Sequence, residues 1–225
     1  MIKRLSIAMA ATALAVTGCA DSAAAKAVNA PVPKRIAKEG AGLKTAIFAG
    51  GCFWGVEGVF SHVKGVKSAV TGYHGGVAAN AKYNRIIQGG TNHAEAVKIT
   101  YDPYVVRYDE LLRIFFSVTT DPTQKNRQGP DVGSHYRSAL VPLNAEQRAV
   151  AKAYLKQMGR SGVWKRPIVT RIESPRKFYK AETYHQDYMV KNPRSGYIVR
   201  HDAPKVRALK RMFPSDYRPR FLRDG

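Results

Sequence analysis

One cysteine of the chain lies in a sequence rich in glycine and aromatic residues, G-G-C-F-W-G at residues 50–55. Glycine lets the backbone turn tightly, and a helix that begins after the turn directs its unpaired N–H groups and its positive dipole end at Cys52. Such a position favours the thiolate, which is the nucleophilic form of cysteine. Phe53 and Trp54 supply an apolar wall that suits a small uncharged group such as a methyl thioether. The alternative is an inert buried cysteine beside two core aromatics, because free cysteine is commonly buried.

A carboxylate on an apolar strand face is the second candidate for chemistry. The strand predicted for residues 93–101 places Glu95 on the same face as Val97 and Ile99, since side chains of a strand alternate with a period of two. Burial raises the pKa of a carboxyl group and keeps its proton available near neutral pH. Glu95 is therefore a candidate general acid.

Three histidines lack the short spacing and the thiol partners of a zinc site, so no metal site is predicted. They are His93, His135 and His185. An alternative enzyme class pairs Cys52 with His185 as a thiol hydrolase, in which Glu95 or Asp187 orients the imidazole.

The elements that position these residues are predicted from periodicity and turn signals. Strands are expected at 45–50, 66–73, 93–101, 136–143 and 168–172, and helices at 54–62, 108–119, from Asn144 onward, and at 178–190. Long loops are expected at 73–92 and 121–132. Asn144 with Gln147 resembles a capping box, and Val150, Tyr154 and Met158 form an apolar stripe in the helix that follows. Strands and helices mixed without strict alternation favour an α+β two-layer domain.

The N-terminus is typical of an export signal. Lys3 and Arg4 precede an apolar run at residues 5–16 that is too short to span a bilayer as a helix. The sequence V-T-G-C at 16–19 resembles a bacterial lipoprotein signal, in which Cys19 becomes the first mature residue and carries lipid. The alternative is ordinary cleavage between small residues. We expect a signal peptide at 1–18, a flexible tether at 19–42, and an envelope or periplasmic location.

The chain of 225 residues has 37 Lys or Arg and 16 Asp or Glu, a formal net charge of +21, yet only two cysteines. Two cysteines exclude a disulfide-dense scaffold. A folded domain is expected at 43–199 and a basic tail at 200–225. The charge could serve nucleic-acid binding, which export disfavours, or contact with anionic lipid, or solubility alone. A non-catalytic basic binding protein of the envelope therefore stands as the second alternative function.

Five separated motifs resemble those of the methionine sulfoxide reductase A family, in the family's order. They are G-C-F-W-G at 51–55, G-Y-H-G-G at 72–76, H-A-E-A-V at 93–97, D-V-G-S-H-Y-R-S at 131–138 and A-E-T-Y-H-Q at 181–186. The resemblance extends over roughly residues 45–193. It implies a ferredoxin-like α+β sandwich with a mixed central sheet and a long irregular C-terminal segment. It also implies repair of oxidised methionine, free or in proteins, with specificity for the S epimer.

The resemblance also implies a role for each matching residue. Cys52 attacks the sulfoxide sulfur and becomes a sulfenic acid, and Glu95 protonates the departing oxygen. Tyr83 and Tyr136 hydrogen-bond that oxygen. Phe53 and Trp54 hold the methyl group, and Asp131 orders the site and a water. Without the resemblance, Tyr83 would be one of twelve ordinary tyrosines and Asp131 a turn residue.

The sequence departs from the family pattern at the C-terminus. Many relatives carry further cysteines there, whereas Ile198 follows Gly196 and Tyr197 here and no cysteine occurs between Phe53 and Gly225. We therefore expect a monomeric enzyme with one catalytic cysteine and no cofactor. Its sulfenic acid would be reduced directly by an external thiol, either a thioredoxin-like protein or a small molecule.

Overall fold

A computed structural model describes residues 27–223 of the chain. The strands are β1 (Lys44–Gly50), β2 (Val66–His74), β3 (Ala94–Tyr101), β4 (Arg127–Gln128), β5 (Asp131–Val132), β6 (Ser138–Val141), β7 (Arg171–Ile172) and β8 (Tyr179–Lys180). The α-helices are α1 (Phe53–Phe60), α2 (Tyr83–Ile86), α3 (Tyr108–Ile114), α4 (Ala145–Gly159), α5 (Tyr188–Lys191) and α6 (Ala203–Met212). Two π-helical turns, Phe115–Thr119 and Ile198–Asp202, extend α3 and precede α6. None of the helices within the described range is long and apolar enough to cross a membrane.

The central sheet has the strand order β7-β6-β1-β3-β2-β8. Within it, β6, β1, β3 and β2 are antiparallel neighbours, and with α1 and α3 they give the β-α-β-β-α-β order of a ferredoxin-like fold. The edge strand β7 runs parallel to β6 and makes the sheet mixed. The predicted α+β class with a mixed sheet is confirmed.

The main hydrophobic core lies between the sheet and the helices. Phe48, Val97 and Ile99 point from β1 and β3 into this core, and the α3 residue Leu111 packs there. Glu95 lies on this same face, as the two-residue period predicted, and is almost fully buried. The sheet therefore delivers a carboxyl group to the apolar layer beside α1.

The part of the expected tether that the structure describes, residues 27–42, is packed against the domain. Ala30 and Ala37 are buried, Val28 N–H donates to the Ser117 carbonyl at 2.9 Å, and Ala37 N–H donates to Asp109 Oδ1 at 2.9 Å. The prediction of a flexible tether is wrong from residue 27 onward. The reason is that small alanines pack closely and supply backbone groups to buried partners, so this segment needed no apolar periodicity.

The prediction of a tail at 200–225 is also wrong for most of that range. Residues 198–212 form a π-turn and the helix α6, and Asp202 and Leu209 are fully buried. Contacts of this segment with α1 and with the Phe115–Thr119 turn explain the difference, because burial on distant elements stabilises a helix whose own sequence is polar. Residues 197–213 are called the C-terminal segment below.

Three local predictions also differ from the structure. The helix expected at 178–190 is replaced by β8, a 3-10 turn and α5, because the Gln186 side chain bonds both backbone groups of Thr71 and holds this stretch at the sheet edge. The loop expected at 73–92 contains α2, whose first N–H, that of Tyr83, donates to Glu182 Oε1 at 2.9 Å. The loop expected at 121–132 contains the hairpin of β4 and β5.

Candidate active site

Cys52 occupies the turn between β1 and α1, at the N-cap of the helix. Gly51 has φ of +89°, and a Cβ atom there would lie 2.5 Å from Gln128 Cβ. A Cβ atom at Gly50 would lie 2.6 Å from the ring of Phe115. Both glycines are therefore required, one by its left-handed backbone and both by the lack of space, and together they place Cys52 at the start of α1.

The Cys52 thiol is buried, with 7% of the residue exposed. Burial raises its pKa well above the ordinary value, and the carboxyl groups of Asp202 and Glu95 raise it further. Lys205 and the Trp54 backbone N–H act in the opposite direction. The resting site therefore favours the thiol, contrary to the expectation of a thiolate, because burial raises the pKa more than the Trp54 backbone N–H at the start of α1 lowers it.

Glu95 lies directly against the cysteine turn. The backbone N–H of Phe53, the residue after Cys52, donates to Glu95 Oε2 at 3.0 Å. Burial raises the pKa of Glu95 to about 8, although this hydrogen bond lowers it. Glu95 is therefore a protonated acid at neutral pH, held beside the thiol.

The two tyrosines predicted from the resemblance lie at the same place. Burial and the charges of Glu95 and Cys52 raise the pKa of Tyr83 to about 12. The same causes raise the pKa of Tyr136 far above its ordinary value. Both hydroxyls keep their protons and can donate hydrogen bonds to an oxygen that reaches Cys52.

Phe53 and Trp54 form the apolar side of the site. The Trp54 ring stacks on Tyr188 at 3.8 Å between centroids, and its Nε1 donates to His185 Nδ1 at 3.1 Å. Phe53 is almost fully buried and meets the His185 ring edge-on. The indole is fixed in orientation by these contacts, so its face forms a rigid wall.

Asp131 is brought to the site by β5. Tyr197 donates its hydroxyl hydrogen to Asp131 Oδ2, and burial raises the pKa of Asp131. Tyr197 also meets the Trp54 ring edge-on. The structure therefore connects all seven residues that the sequence placed at this site through direct contacts or electrostatic interactions. They are Cys52, Phe53, Trp54, Tyr83, Glu95, Asp131 and Tyr136.

Two charged residues that the sequence did not predict also lie here. Lys205 Nζ forms an ion pair with Asp202 Oδ1 at 2.9 Å, and Asp202 is completely buried. A methyl group on Gly55, in the first turn of α1, would overlap Asp202 Oδ1 and lie 2.7 Å from Lys205 Nζ. The only sequence signal was an acidic residue three positions before a lysine, a spacing that exposed helices also show.

The geometry of His185 does not fit a thiol hydrolase. Its Nδ1 accepts the Trp54 indole hydrogen, which leaves Asp187 and Glu95 no role in orienting that nitrogen. Burial lowers the pKa of His185 to about 4, so it is a weak base. Among residues 27–223, no group of three His, Cys, Asp or Glu side chains could hold a metal ion.

Comparisons with known proteins agree on one family. The profile described as "Peptide methionine sulfoxide reductase" matches residues 44–217, which includes the C-terminal segment. The protein "Peptide methionine sulfoxide reductase MsrA 2" of Mesorhizobium japonicum is 52% identical over 180 residues, which are 80% of this chain and 92% of that protein. Its namesake in Synechocystis sp. is 49% identical over 172 residues, 76% of this chain and 80% of that protein.

Solved structures give the same result. Reduced Mxr1 of Saccharomyces cerevisiae matches with a TM-score of 0.61 and 34% identity over 72% of this chain and 92% of that one. Methionine sulfoxide reductase A of Corynebacterium diphtheriae matches with a TM-score of 0.57 and 31% identity over 78% of this chain and 86% of that one.

Proposed function

This chain belongs to the peptide methionine sulfoxide reductase family and reduces methionine sulfoxide, and from that premise we propose that Cys52 is the nucleophile and Glu95 the acid. The observation that carries the proposal is the contact between Glu95 Oε2 and the backbone N–H of the residue after Cys52. One hydrogen bond thereby fixes the acid relative to the nucleophile.

In the first half-reaction, Cys52 sulfur attacks the sulfoxide sulfur and the oxygen passes to the cysteine. The products are methionine and a Cys52 sulfenic acid, so the substrate is reduced by two electrons and the thiol is oxidised by two. A bare oxide is a poor leaving group, and the Glu95 proton removes this difficulty by making the oxygen a hydroxyl. The proton of the Cys52 thiol replaces the one that Glu95 gave.

Tyr83 and Tyr136 donate hydrogen bonds to the sulfoxide oxygen as negative charge builds on it. Their raised pKa values keep them neutral donors beside an acid and a thiol. Phe53 and Trp54 accommodate the methyl group, since a rigid apolar wall favours it over a charged group. Asp131, fixed by Tyr197, orders the polar side of the site and a water. An apolar wall for the methyl group and hydroxyl donors for the oxygen let the site select the S epimer, free or in peptides.

In the second half-reaction, an external thiol attacks the Cys52 sulfenic acid and releases water. A second external thiol then resolves the mixed disulfide and regenerates Cys52. Ile198, which stands where some relatives have cysteine, is buried, and no cysteine follows Cys52 in the sequence. The reductant is a thioredoxin-like protein or a small thiol, and the enzyme acts as a monomer without a cofactor.

A substitution at Cys52 tests the chemistry. Cys52→Ser should abolish reduction of a methionine S-sulfoxide compound with dithiothreitol, since the serine hydroxyl is not a sufficient nucleophile here. Intact-mass analysis of the unsubstituted enzyme after one equivalent of substrate should show one added oxygen when no reductant is present, and a mixed adduct when a small thiol is supplied. Unchanged turnover by the serine variant would defeat the mechanism, and an intramolecular disulfide would defeat the one-cysteine route. The R epimer, tested in parallel, should not be reduced.

We also propose that the protein is exported and held at the membrane through lipid on Cys19. The supports are the basic and apolar start of the chain and the V-T-G-C sequence, all of which lie outside the described residues. Labelling with a fatty acid should tag the intact protein and not Cys19→Ser. Equal labelling of both would exclude Cys19 as the acceptor, and recovery of both in a soluble fraction would favour ordinary cleavage.

A further inference from the structure

A buried ion pair lies beneath the cysteine turn, and the proposed mechanism does not use it. Asp202 is fully buried, and the Lys205 side chain is 10% exposed. Taking two charges out of water is costly, and such a pair contributes less to stability than its short distance suggests. Its position, rather than its stability, therefore needs a reason.

The position is set by Gly55. The absence of a side chain there lets Asp202 Oδ1 and Lys205 Nζ approach the first turn of α1, three residues after Cys52. Lys205 also lines a small cavity with Asp131 and Tyr197, both of which belong to the site. The pair thus lies against the first turn of α1, close enough for both of its charges to act on the Cys52 thiol.

We propose that Asp202 and Lys205 form a positioning pair that sets the ionisation of Cys52, with the carboxylate favouring the thiol and the ammonium favouring the thiolate. The proposal rests on the proposed role of Cys52. It extends that role to the C-terminal segment, which in many relatives carries further thiols and here carries charge instead.

The two charges do not cancel at the sulfur. Asp202 Oδ2 has no hydrogen-bond partner among the described residues, so only one of its oxygens is neutralised by Lys205. In agreement, Asp202 raises the pKa of Cys52 more strongly than Lys205 lowers it. The pair therefore adds to the effect of burial, which is the main reason that the resting cysteine is a thiol.

The other titratable groups around Cys52 lie on several elements. They are Glu95 on β3, Tyr83 on α2, Asp131 and Tyr136 before β6, His185 after β8, and Tyr197 and His201 in the C-terminal segment, whose ring centroids lie 5.0 Å apart. Glu95 and the tyrosines are neutral at pH 7 and His185 is uncharged, because burial shifts the pKa of each in that direction. Asp131 carries the other nearby charge, and its attraction helps to keep Lys205 protonated.

A resting thiol suits an enzyme with no second cysteine beside the first. The thiolate is the form that oxidants attack, and oxidation past the sulfenic acid is irreversible for most proteins. Because residues 27–223 contain no second cysteine that could form a disulfide with this sulfenic acid, a suppressed thiolate limits that loss.

The rate at which iodoacetamide alkylates Cys52 tests the pair without any reductase turnover. The full-length chain is treated across a pH series, and the peptide containing Cys52 is quantified by mass spectrometry. Asp202→Asn should lower the midpoint of the pH profile and speed alkylation at pH 7 on the order of 3- to 10-fold, which corresponds to about 0.5 to 1 pKa unit. Adding Lys205→Met to Asp202→Asn should reverse the shift, because the ammonium is then removed. Arg207→Gln, an exposed residue of α6, is the matched control.

The proposal is supported if Asp202→Asn lowers the midpoint of alkylation and the added Lys205→Met raises it again. A pair with a purely structural role would shift the two midpoints in the same direction or not at all. Unchanged profiles, or shifts of the same sign, overturn the proposal. If Asp202→Asn does not fold, Lys205→Arg and Lys205→Gln replace it in the test. The arginine variant should keep the midpoint of the alkylation profile, and the glutamine variant should shift it. A glutamine variant with an unchanged midpoint also overturns the proposal. An active Cys52→Ser enzyme would instead defeat the proposed function and leave the alkylation result standing.

Discussion

The active site is built from two regions that differ in how they specify their geometry. The geometry of the turn at residues 50–55 is set locally. Gly50 and Gly51 have no room for a side chain, and the helix begins directly afterwards at Phe53. The geometry of the C-terminal segment is set through distant contacts, with Asp202, Lys205 and Leu209 placed by packing on α1 and on the turn after α3. The turn presents Cys52, the proposed nucleophile, whereas the segment places the buried Asp202 and Lys205 beside it.

The largest expected effect concerns Glu95, which belongs to neither region and faces both. Glu95→Gln should lower kcat/KM for a methionine S-sulfoxide compound by about 100- to 10,000-fold, since general acid catalysis typically contributes that much. The Phe53 N–H can still donate to the glutamine oxygen, so the turn should keep its shape. Glu146→Gln, which alters an exposed ion pair with Arg35 and a hydrogen bond from the Lys38 backbone N–H, should leave the rate unchanged. Equal rates for the Glu95 variant and the parent would remove the acid from the mechanism.

The pH dependence of stability gives a second measure of Glu95. Its folded pKa of about 8 lies above that of an unfolded glutamate, so the folded state binds the extra proton between roughly pH 4.5 and 8. The contribution of the Glu95 proton to the free energy of unfolding is fully present below pH 4.5. It is lost as pH rises to 8, and the total loss is at most about 5 kcal/mol. Urea unfolding at pH 5 and pH 8 should show the parent losing more stability than Glu95→Gln. A parallel loss in both proteins would show that Glu95 ionises normally.

The third prediction separates a folded C-terminal segment from a solvated tail. Leu209→Ala should lower the free energy of unfolding by about 2–5 kcal/mol, because the leucine is fully buried and its loss leaves a cavity. Arg207→Ala, two residues earlier on the exposed side of α6, should change it by less than about 0.5 kcal/mol. Chemical denaturation of both variants measures these free energies. Small and equal changes for the two variants would show that this segment is a solvated tail.

The smallest expected effect tests the contact between the two regions. Gly55→Ala should destabilise the protein by about 1–3 kcal/mol, because its methyl group would meet a fixed ion pair. Gly58→Ala in the same helix meets only the end of the flexible Met189 side chain, which can move aside. Thermal unfolding should therefore give a lower Tm for Gly55→Ala than for Gly58→Ala. The reverse order would show that the ion pair is free to shift.

These two regions also show what could be predicted from the sequence. The strands around β1 and β3, the helix after Cys52 and the burial of Glu95 follow from periodicity and turn residues, which act over a few positions. Cys52, Phe53, Trp54 and Glu95 were candidates from their own sequence context, whereas Tyr83, Tyr136 and Asp131 were placed by the resemblance alone. Asp202 and Lys205 could not be predicted, because an acid and a lysine three residues apart are usually exposed and only tertiary packing buries them. The raised pKa of Cys52 was missed for the same reason, since desolvation depends on everything that covers the sulfur.

The packing of residues 27–42 on the domain sets a length scale for the proposed membrane anchor. Val28 is already hydrogen-bonded to Ser117, so only nine residue steps separate a lipidated Cys19 from the folded body. Fully extended, nine residues span at most about 30 Å. Under the proposed anchoring, the start of the folded domain would stay within roughly that distance of the lipid headgroups. Oxidised proteins further away would have to diffuse to the enzyme.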